Sequence, residues 1–321
     1  MKVLVTGATG LLGSYLIREL LVNHEVHGFR RKESSNRLVQ DIEGKVTWHE
    51  GEITDYQSLQ DATVGIDAVW HVAGLVSFKN RDQEKLLTVN TEGTANLVNV
   101  MLENGPKKLV FISSVAALGK DPDTQLIDEE YKWVTSELNT PYAISKHLAE
   151  LEVWRGAQEG LEVLVFNPSV LLARHKDDRS STMVYDYVFK GISYFPQGSI
   201  NYIDIRDAAE IMVKIAEVGT WNNRFIINKE SLPYKKFFEE IAKVTGKKAP
   251  HKPLTKGLLA AALFFSRITN FFGTFPVSLN KQSALLSQMN FTFDNRKSGR
   301  VLPYEYTPLA ETLKWAFDNK D

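Results

Sequence analysis

A doubly wound α/β fold built on a parallel sheet is what this chain of 321 residues predicts, and three observations predict it. Short runs rich in β-branched residues alternate with segments of helical apolar spacing through the first half. The first run, Val3-Leu4-Val5, leads directly into glycines at 7, 10 and 13, and then into a helical pattern from Leu11 to Val22. The composition, 43% hydrophobic, is ample for a core that covers both faces of such a sheet.

The elements follow in order. Val26–Arg30 reads as a second strand, Val46–His49 as a third, Ala68–Val72 as a fourth and Lys108–Ser113 as a fifth. Helical patterns lie between and after them at Ser58–Ala62, Lys85–Glu103 and Pro141–Glu159, and Val163–Phe166 is a sixth strand. Alternation of this kind implies a Rossmann-type parallel sheet, whose ligands bind beyond the carboxyl ends of the strands. After about residue 170 the pattern loosens. Asp177–Ser181 reads as a polar loop, Tyr202–Ile205 as a short strand before a helix at Asp207–Glu217, and Phe225–Asn228 as a strand. Tyr234–Thr245 reads as a helix closed by Gly246, and Pro308–Phe317 as the last helix. The expected division is a nucleotide-binding domain of residues 1–170 plus about 201–227. A smaller, mixed C-terminal substrate lobe takes about 171–200 and 228–321.

The bulk properties exclude several classes of function. Net charge is −1, with 38 Lys+Arg and 39 Asp+Glu well mixed, so nothing argues for a nucleic-acid partner. The chain has no cysteine, which excludes disulfides, thiolate catalysis and cysteine-ligated metal. Seven scattered histidines form no spaced ligand pair, so no metal is expected. The N-terminus does not read as a signal peptide. The apolar segment 258–272 is short for a membrane span and is interrupted by Arg267 and Asn270. It is read first as core or lid packing, with a dimer face or membrane-surface helix as alternatives. A cytoplasmic protein without a transmembrane segment is the expectation.

The glycine turn has its own chemistry. Small residues at Gly7, Gly10 and Gly13 let the backbone of Thr9, Gly10, Leu11 and Leu12 approach a pyrophosphate at a helix N-terminus. There the unpaired N–H groups and the helix dipole favour an anion. The spacing is GxxGxxG rather than the more usual GxGxxG. A site selective for NAD ends its second strand with an acid on the ribose 2′-hydroxyl. Here that strand ends Phe29-Arg30-Arg31-Lys32, followed by Ser34 and Ser35, which suits a 2′-phosphate. NADP is therefore the predicted cofactor, with NAD the alternative.

Tyr142 and Lys146 stand four residues apart at the start of a helical pattern, on one face. An ammonium beside a phenol stabilises the phenolate and brings it toward the range of general acid–base work. Ser113 and Ser114 close the fifth strand at the ligand end of the sheet, where a hydroxyl can hold a substrate oxygen.

With these residues in view the chain resembles the extended short-chain dehydrogenase/reductases, over nearly its whole length. TGATGLLG (6–13) matches their nucleotide loop, HVAG (71–74) their fourth-strand motif and VNTEGTANLV (89–98) the helix that follows. ISSVAALG (112–119) looks like the serine strand, PYAISKHLAE (141–150) the YxxxK helix and NPSVLL (167–172) the segment over the nicotinamide. YIDIRDAAE (202–210) and PLAETLKWAF (308–317) resemble later landmarks. The nearest branch is that of the dihydroflavonol reductases and hydroxysteroid dehydrogenases.

The resemblance implies a Ser–Tyr–Lys mechanism. Tyr142 would be the general acid/base, Lys146 would lower its pKa and hold the nicotinamide ribose, and Ser114 would orient the substrate oxygen. It also implies cofactor contacts from Glu52 and Ile53, from Val72, Ala73 and Gly74, and from Asn90 and Ser113. Asn167, Pro168, Ser169 and Val170 would complete them. Two departures stand out: Leu118 replaces a tyrosine common before the glycine of the serine strand, and Glu52 replaces the usual aspartate. By analogy with relatives, a homodimer is expected.

Val76, Phe78, Ala116, Leu118, Tyr185 and Phe195 are the candidate substrate pocket. Their apolar and aromatic character suits a planar or lipid-like carbonyl. The leading expectation is an NADP-dependent reductase or alcohol dehydrogenase for such a substrate. A sugar-nucleotide epimerase or dehydratase with retained cofactor is the second, and a non-enzymatic dinucleotide sensor the third. Val115-Ala116, where a dehydratase commonly carries an acid pair, argues against that variant.

Overall fold

The structure is a computed structural model that describes residues 1–103, 105–174, 184–255, 257–260 and 281–318. Its centre is a seven-stranded sheet. In chain order the strands are β1 (Lys2–Thr6), β2 (Glu25–Arg30), β3 (Thr47–Glu50), β4 (Ala68–His71) and β5 (Lys108–Ile112). They continue with β6 (Leu126–Ile127), β7 (Glu162–Pro168), β8 (Val170–Leu172), β9 (Tyr194–Phe195), β10 (Ser199–Asp204), β11 (Asn223–Ile227) and β12 (Glu230–Pro233). The central sheet runs β11-β7-β5-β4-β1-β2-β3, and all of its pairings are parallel. β8, β10 and β12 form a separate small mixed sheet, while β11 returns to the central one.

Burial on both faces explains the unbroken apolar run of β1. Val3 and Val5 face one core, with Leu16, Ile17 and Ile211; Leu4 faces the other, with Leu59, Leu97 and Val153. Successive strand residues point to opposite faces, so only a sheet covered on both sides lets all three be apolar. Helices α1 (Leu11–Leu20) and α6 (Ile205–Val218) pack over the first face. Helices α2 (Tyr56–Thr63), α4 (Gly93–Glu103) and α5 (Pro141–Gln158) cover the second. A third core lies against the small sheet, where Tyr185, Tyr202, Phe237, Phe238 and Leu313 are wholly buried.

Three sequence expectations are revised. The helix expected over Lys85–Glu103 is broken: a short helix, α3 (Gln83–Leu86), passes into a π-helical stretch over Leu87–Glu92 before α4 begins. The reason is Asn90, which is buried and bonds the backbone of Leu75 in both directions, at 2.7 and 3.0 Å. Tyr185 is core: its hydroxyl donates to the Ala173 carbonyl and its ring meets Phe317 edge-on. Leu118 is core as well, packed with Ile127, Ile226 and Phe293. A wholly enclosed side chain cannot line a substrate cavity. The polar loop at Asp177–Ser181 lies outside the described residues, as does the apolar segment 258–272 beyond its first turn.

Candidate active site

The site begins at the carboxyl end of β1. Gly7 takes φ +68°, and a Cβ there would stand 2.7 Å from the Ala73 backbone. A Cβ on Gly13 would stand 2.3 Å from the Gly7 carbonyl. Both glycines are therefore demanded by packing of this turn, apart from any ligand. Gly10 caps α1 without a side-chain acceptor, so the first N–H groups of the helix remain available to an anion.

Thr6, which ends β1, ties the turn to β4. Its hydroxyl bonds Nδ1 of the fully buried His71, and Nε2 of that ring bonds Thr94 on α4. Burial pushes His71 down to about 3, so the ring is neutral and joins three elements as hydrogen-bonding hardware. Val72, Ala73 and Gly74 follow it along the same edge. Ile53 is buried against Gly93, and Glu52 beside it is exposed.

Ser114, Tyr142 and Lys146 are brought to this edge by the end of β5 and the start of α5. Ser114 caps a 3₁₀ turn over Val115–Leu118, and its hydroxyl oxygen accepts from the Ala116 N–H at 3.1 Å. Thr140 caps α5, Pro141 opens it, and Tyr142 and Lys146 follow on its first turns. The Ser114 hydroxyl lies near that of Tyr142. Burial raises the Tyr142 pKa, and the nearby Ser114 hydroxyl draws it back. Lys146 is buried and driven down to about 8 by desolvation; its Nζ donates to the Ile112 carbonyl at 2.7 Å and lies 4.5 Å from the Phe111 ring centre. The downward pull on the phenol thus comes from Ser114. Lys146, four residues further along α5, directs its ammonium to β5.

Above Tyr142 the wall is apolar. Phe78 meets the phenol edge-on at 5.9 Å, and Phe78 and Val76 are each about two-fifths exposed. The Asn90 clamp on Leu75 and a 2.6 Å bond from Ser77 to Asp82 hold the loop that carries them. Ala116 is half-buried beside Ser114, whereas Phe195 lies on β9, partly buried against the aromatic core.

Among the buried polar atoms that lack a partner within the protein, three stand at or just past the carboxyl ends of β5 and β7: Ser113 Oγ, Asn167 Oδ1 and Ser169 Oγ. Buried polar atoms ordinarily find partners, so these three mark places where a bound polar molecule completes the bonding. Together with the glycine turn, they fit the binding of a dinucleotide: the turn and the start of α1 would hold its pyrophosphate, and these polar atoms would bond its other polar groups.

The end of β2 carries the two arginines expected to face the cofactor. Arg30 donates to Asn36 at 2.7 Å and to Glu43 at 3.1 Å, and stacks 4.5 Å over Trp48. It is engaged in building the loop. Arg31 is exposed and carries no recorded partner among the described residues. Nor do the described residues gather three or more His, Asp or Glu that could hold a metal ion, or form a helix long and apolar enough to cross a membrane.

A parallel sheet in this strand order, with a glycine turn at its first helix and a Ser–Tyr–Lys cluster at its carboxyl edge, defines a nucleotide-binding α/β protein of the doubly wound class. The comparisons narrow this. A model of the NAD-dependent epimerase/dehydratase family matches residues 3–227. The chain belongs to that family, within the extended short-chain dehydrogenase/reductases, and is an enzyme of that type, an oxidoreductase or epimerase. It is 28% identical to a presumed dihydroflavonol 4-reductase of Synechocystis sp., covering 96% of this chain and 91% of that one. It is also 28% identical to cinnamoyl-CoA reductase 1 of Petunia hybrida, covering 70% and 71%. Among solved structures, that of gox2253 superposes with a TM-score of 0.83 at 27% identity, covering 98% of this chain and 96% of that one. A nucleoside-diphosphate-sugar epimerase from Pseudomonas aeruginosa shares the fold, with a TM-score of 0.80 at 20% identity over 99% of both chains.

Sequence reasoning missed Glu150, Arg224 and the second role of Asn167. Asn167 Nδ2 donates to a Glu150 carboxylate oxygen at 2.5 Å and to the Ser114 carbonyl at 2.9 Å. An acid four residues beyond Lys146 was the signal available; its partners lie on other strands.

Proposed function

We propose that this protein is an NADP-dependent carbonyl reductase or alcohol dehydrogenase acting on a mainly apolar small molecule. The observation that carries the proposal is the Tyr142 phenol, set beside Ser114 and met edge-on by the part-exposed Phe78 ring. An apolar rim favours a flat or lipid-like carbonyl over a charged diphosphate sugar. The names of the reductase relatives point the same way.

In this reading Gly7–Gly13 and the start of α1 hold the pyrophosphate, and Arg31 holds the 2′-phosphate with help from Ser34 and Ser35. Asn167–Val170 closes over the nicotinamide, whose chemistry is hydride transfer. Ser114 holds the carbonyl oxygen. Tyr142, whose raised pKa keeps it protonated at neutral pH, delivers a proton to that oxygen. Lys146 supplies positive charge behind the phenol as phenolate character develops. Residues 171–200 and 228–321 form the substrate lobe, with Ala116 and Phe195 toward the pocket.

The test is an incubation with NADPH or NADH against apolar aldehydes and ketones and, separately, sugar nucleotides, following absorbance at 340 nm and the products. Net oxidation of NADPH with a carbonyl, and a lower KM for NADPH than for NADH, is the expected result. Product from a sugar nucleotide without net oxidation overturns the proposal in favour of an epimerase. Binding without turnover on broad panels makes the protein a sensor.

A further inference from the structure

Behind the reacting cluster lies a buried acid that the Ser–Tyr–Lys scheme does not use. Glu150 stands one turn after Lys146 on α5 and is wholly inaccessible to solvent. One carboxylate oxygen accepts from Arg224 on β11 at 2.5 Å, and the other from Asn167 on β7 at 2.5 Å. The same Asn167 nitrogen donates to the Ser114 carbonyl at 2.9 Å. A carboxylate held at zero exposure is strongly disfavoured unless its charge and lone pairs are answered. Here they are answered, and one of the answering groups, Asn167, also holds the backbone carbonyl of Ser114.

We infer that Glu150 is a positioning residue for the reaction: with Arg224 and Asn167 it sets a buried carboxylate one helical turn from Lys146 and fixes the backbone that presents Ser114. The inference rests on the Ser–Tyr–Lys reading above. The charged and titratable groups around Lys146 are few. On its own helix are Tyr142, His147 and Glu150, and across it is His71 on β4, neutral at working pH. β5 offers the Phe111 ring and the Ile112 carbonyl, and β11 offers Arg224 by way of Glu150. Glu150 is the group whose charge favours protonated Lys146, against the desolvation that opposes it. Asn167 transmits the second effect. Its amide nitrogen is fixed between Glu150 and Ser114, so the β5 turn and α5 are held in one geometry.

The two members of the ion pair give opposite signs in a test. Removing the carboxylate with Glu150→Gln leaves Lys146 easier to deprotonate, so the alkaline limb of kcat for carbonyl reduction moves down by about one pH unit or more. Removing the cation with Arg224→Gln leaves the Glu150 charge uncompensated in that pH range, so the limb moves up. The double variant Glu150→Gln/Arg224→Gln, which leaves no unpaired charge, moves it down and serves should either single variant fail to fold. Glu150→Asp restores part of the wild-type limb. NADPH binding and thermal midpoint accompany each profile, because a purely structural role changes those and moves no limb. An unmoved limb in folded, cofactor-binding Glu150→Gln, or shifts of one sign in both single variants, overturns the inference. Tyr142→Phe separates the two levels. Full turnover in that variant sinks the Ser–Tyr–Lys reading itself, whereas its loss beside an unmoved Glu150→Gln limb sinks the role of Glu150 alone.

Discussion

Among the described residues two lysines are buried, and they are handled differently. Lys146 and Lys120 are both driven down to about 8 by desolvation. Lys146 has a carbonyl acceptor at 2.7 Å, an aromatic ring and the favourable charge of Glu150 one turn away. Lys120, six residues beyond Ser114, has the rings of Phe291 and Phe293 at 5.2 and 5.6 Å, and no hydrogen bond or ion pair of its ammonium is recorded among the described residues. Equal burial therefore does not mean equal purpose. A cation that a reaction needs is kept charged by a polar frame, whereas one held by aromatic faces alone is a cost to the fold.

The sharpest way to break this contrast is to remove each amine. Lys146→Met is expected to lower turnover by at least about a hundredfold, the scale of general acid–base assistance, with the protein still folded. Lys120→Met is expected to leave turnover within a few-fold and to raise stability at pH 7. Lys120 has a folded pKa below its unfolded value, so the unfolded chain binds more protons between about pH 8 and 10.5. The penalty is complete below pH 8 and fades as pH rises toward 10.5. Its size is on the order of 3 kcal/mol, so urea unfolding at pH 7 and pH 10 measures it. A Lys120→Met protein less stable at pH 7 than wild type contradicts the contrast.

A smaller effect is expected at low pH. His71, buried neutral at about 3, has a folded pKa below its unfolded value. Stability is therefore lost as pH falls from about 6.5 toward 3. His71→Gln, which retains a donor and an acceptor, is expected to flatten that part of the stability curve, read by thermal melts at pH 7 and pH 4.5. The smallest effect sharpens the same lesson at the cofactor end. Arg31→Ala is expected to raise the KM for NADPH about tenfold, the loss of one charge-assisted phosphate contact, with NADH unchanged. Arg30→Ala is expected to act on stability through Glu43 and Trp48. Equal discrimination between the cofactors in wild type and Arg31→Ala would remove that residue from 2′-phosphate recognition.

Much of this was legible in the sequence because it is local. β1 and its glycine turn occupy thirteen consecutive residues, and packing dictates the glycines whatever binds there. Thr140, Pro141, Tyr142 and Lys146 announce a capped helix with two reactive groups on one face. What was hidden depends on distant partners. Arg224 and Glu150 are 74 residues apart, so neither looks special alone. The pairing of Arg30 with Glu43, thirteen residues on, was equally hidden. Tyr185 read as a pocket aromatic because composition does not say which side of a small lobe is filled. The π-helical stretch was hidden too, since the side chain that explains it reaches Leu75, fifteen residues upstream.

The central claim is that the Tyr142 phenol donates the proton that accompanies hydride transfer. The most direct measurement is single-turnover reduction of an apolar ketone by saturating NADPH deuterated on the transferred position, comparing wild type with Tyr142→Phe. The account predicts deuterium at the new carbinol carbon in wild type. It predicts a transfer rate lower by about two to four orders of magnitude in the variant, with NADPH affinity kept. Equal transfer rates in the two proteins would contradict it.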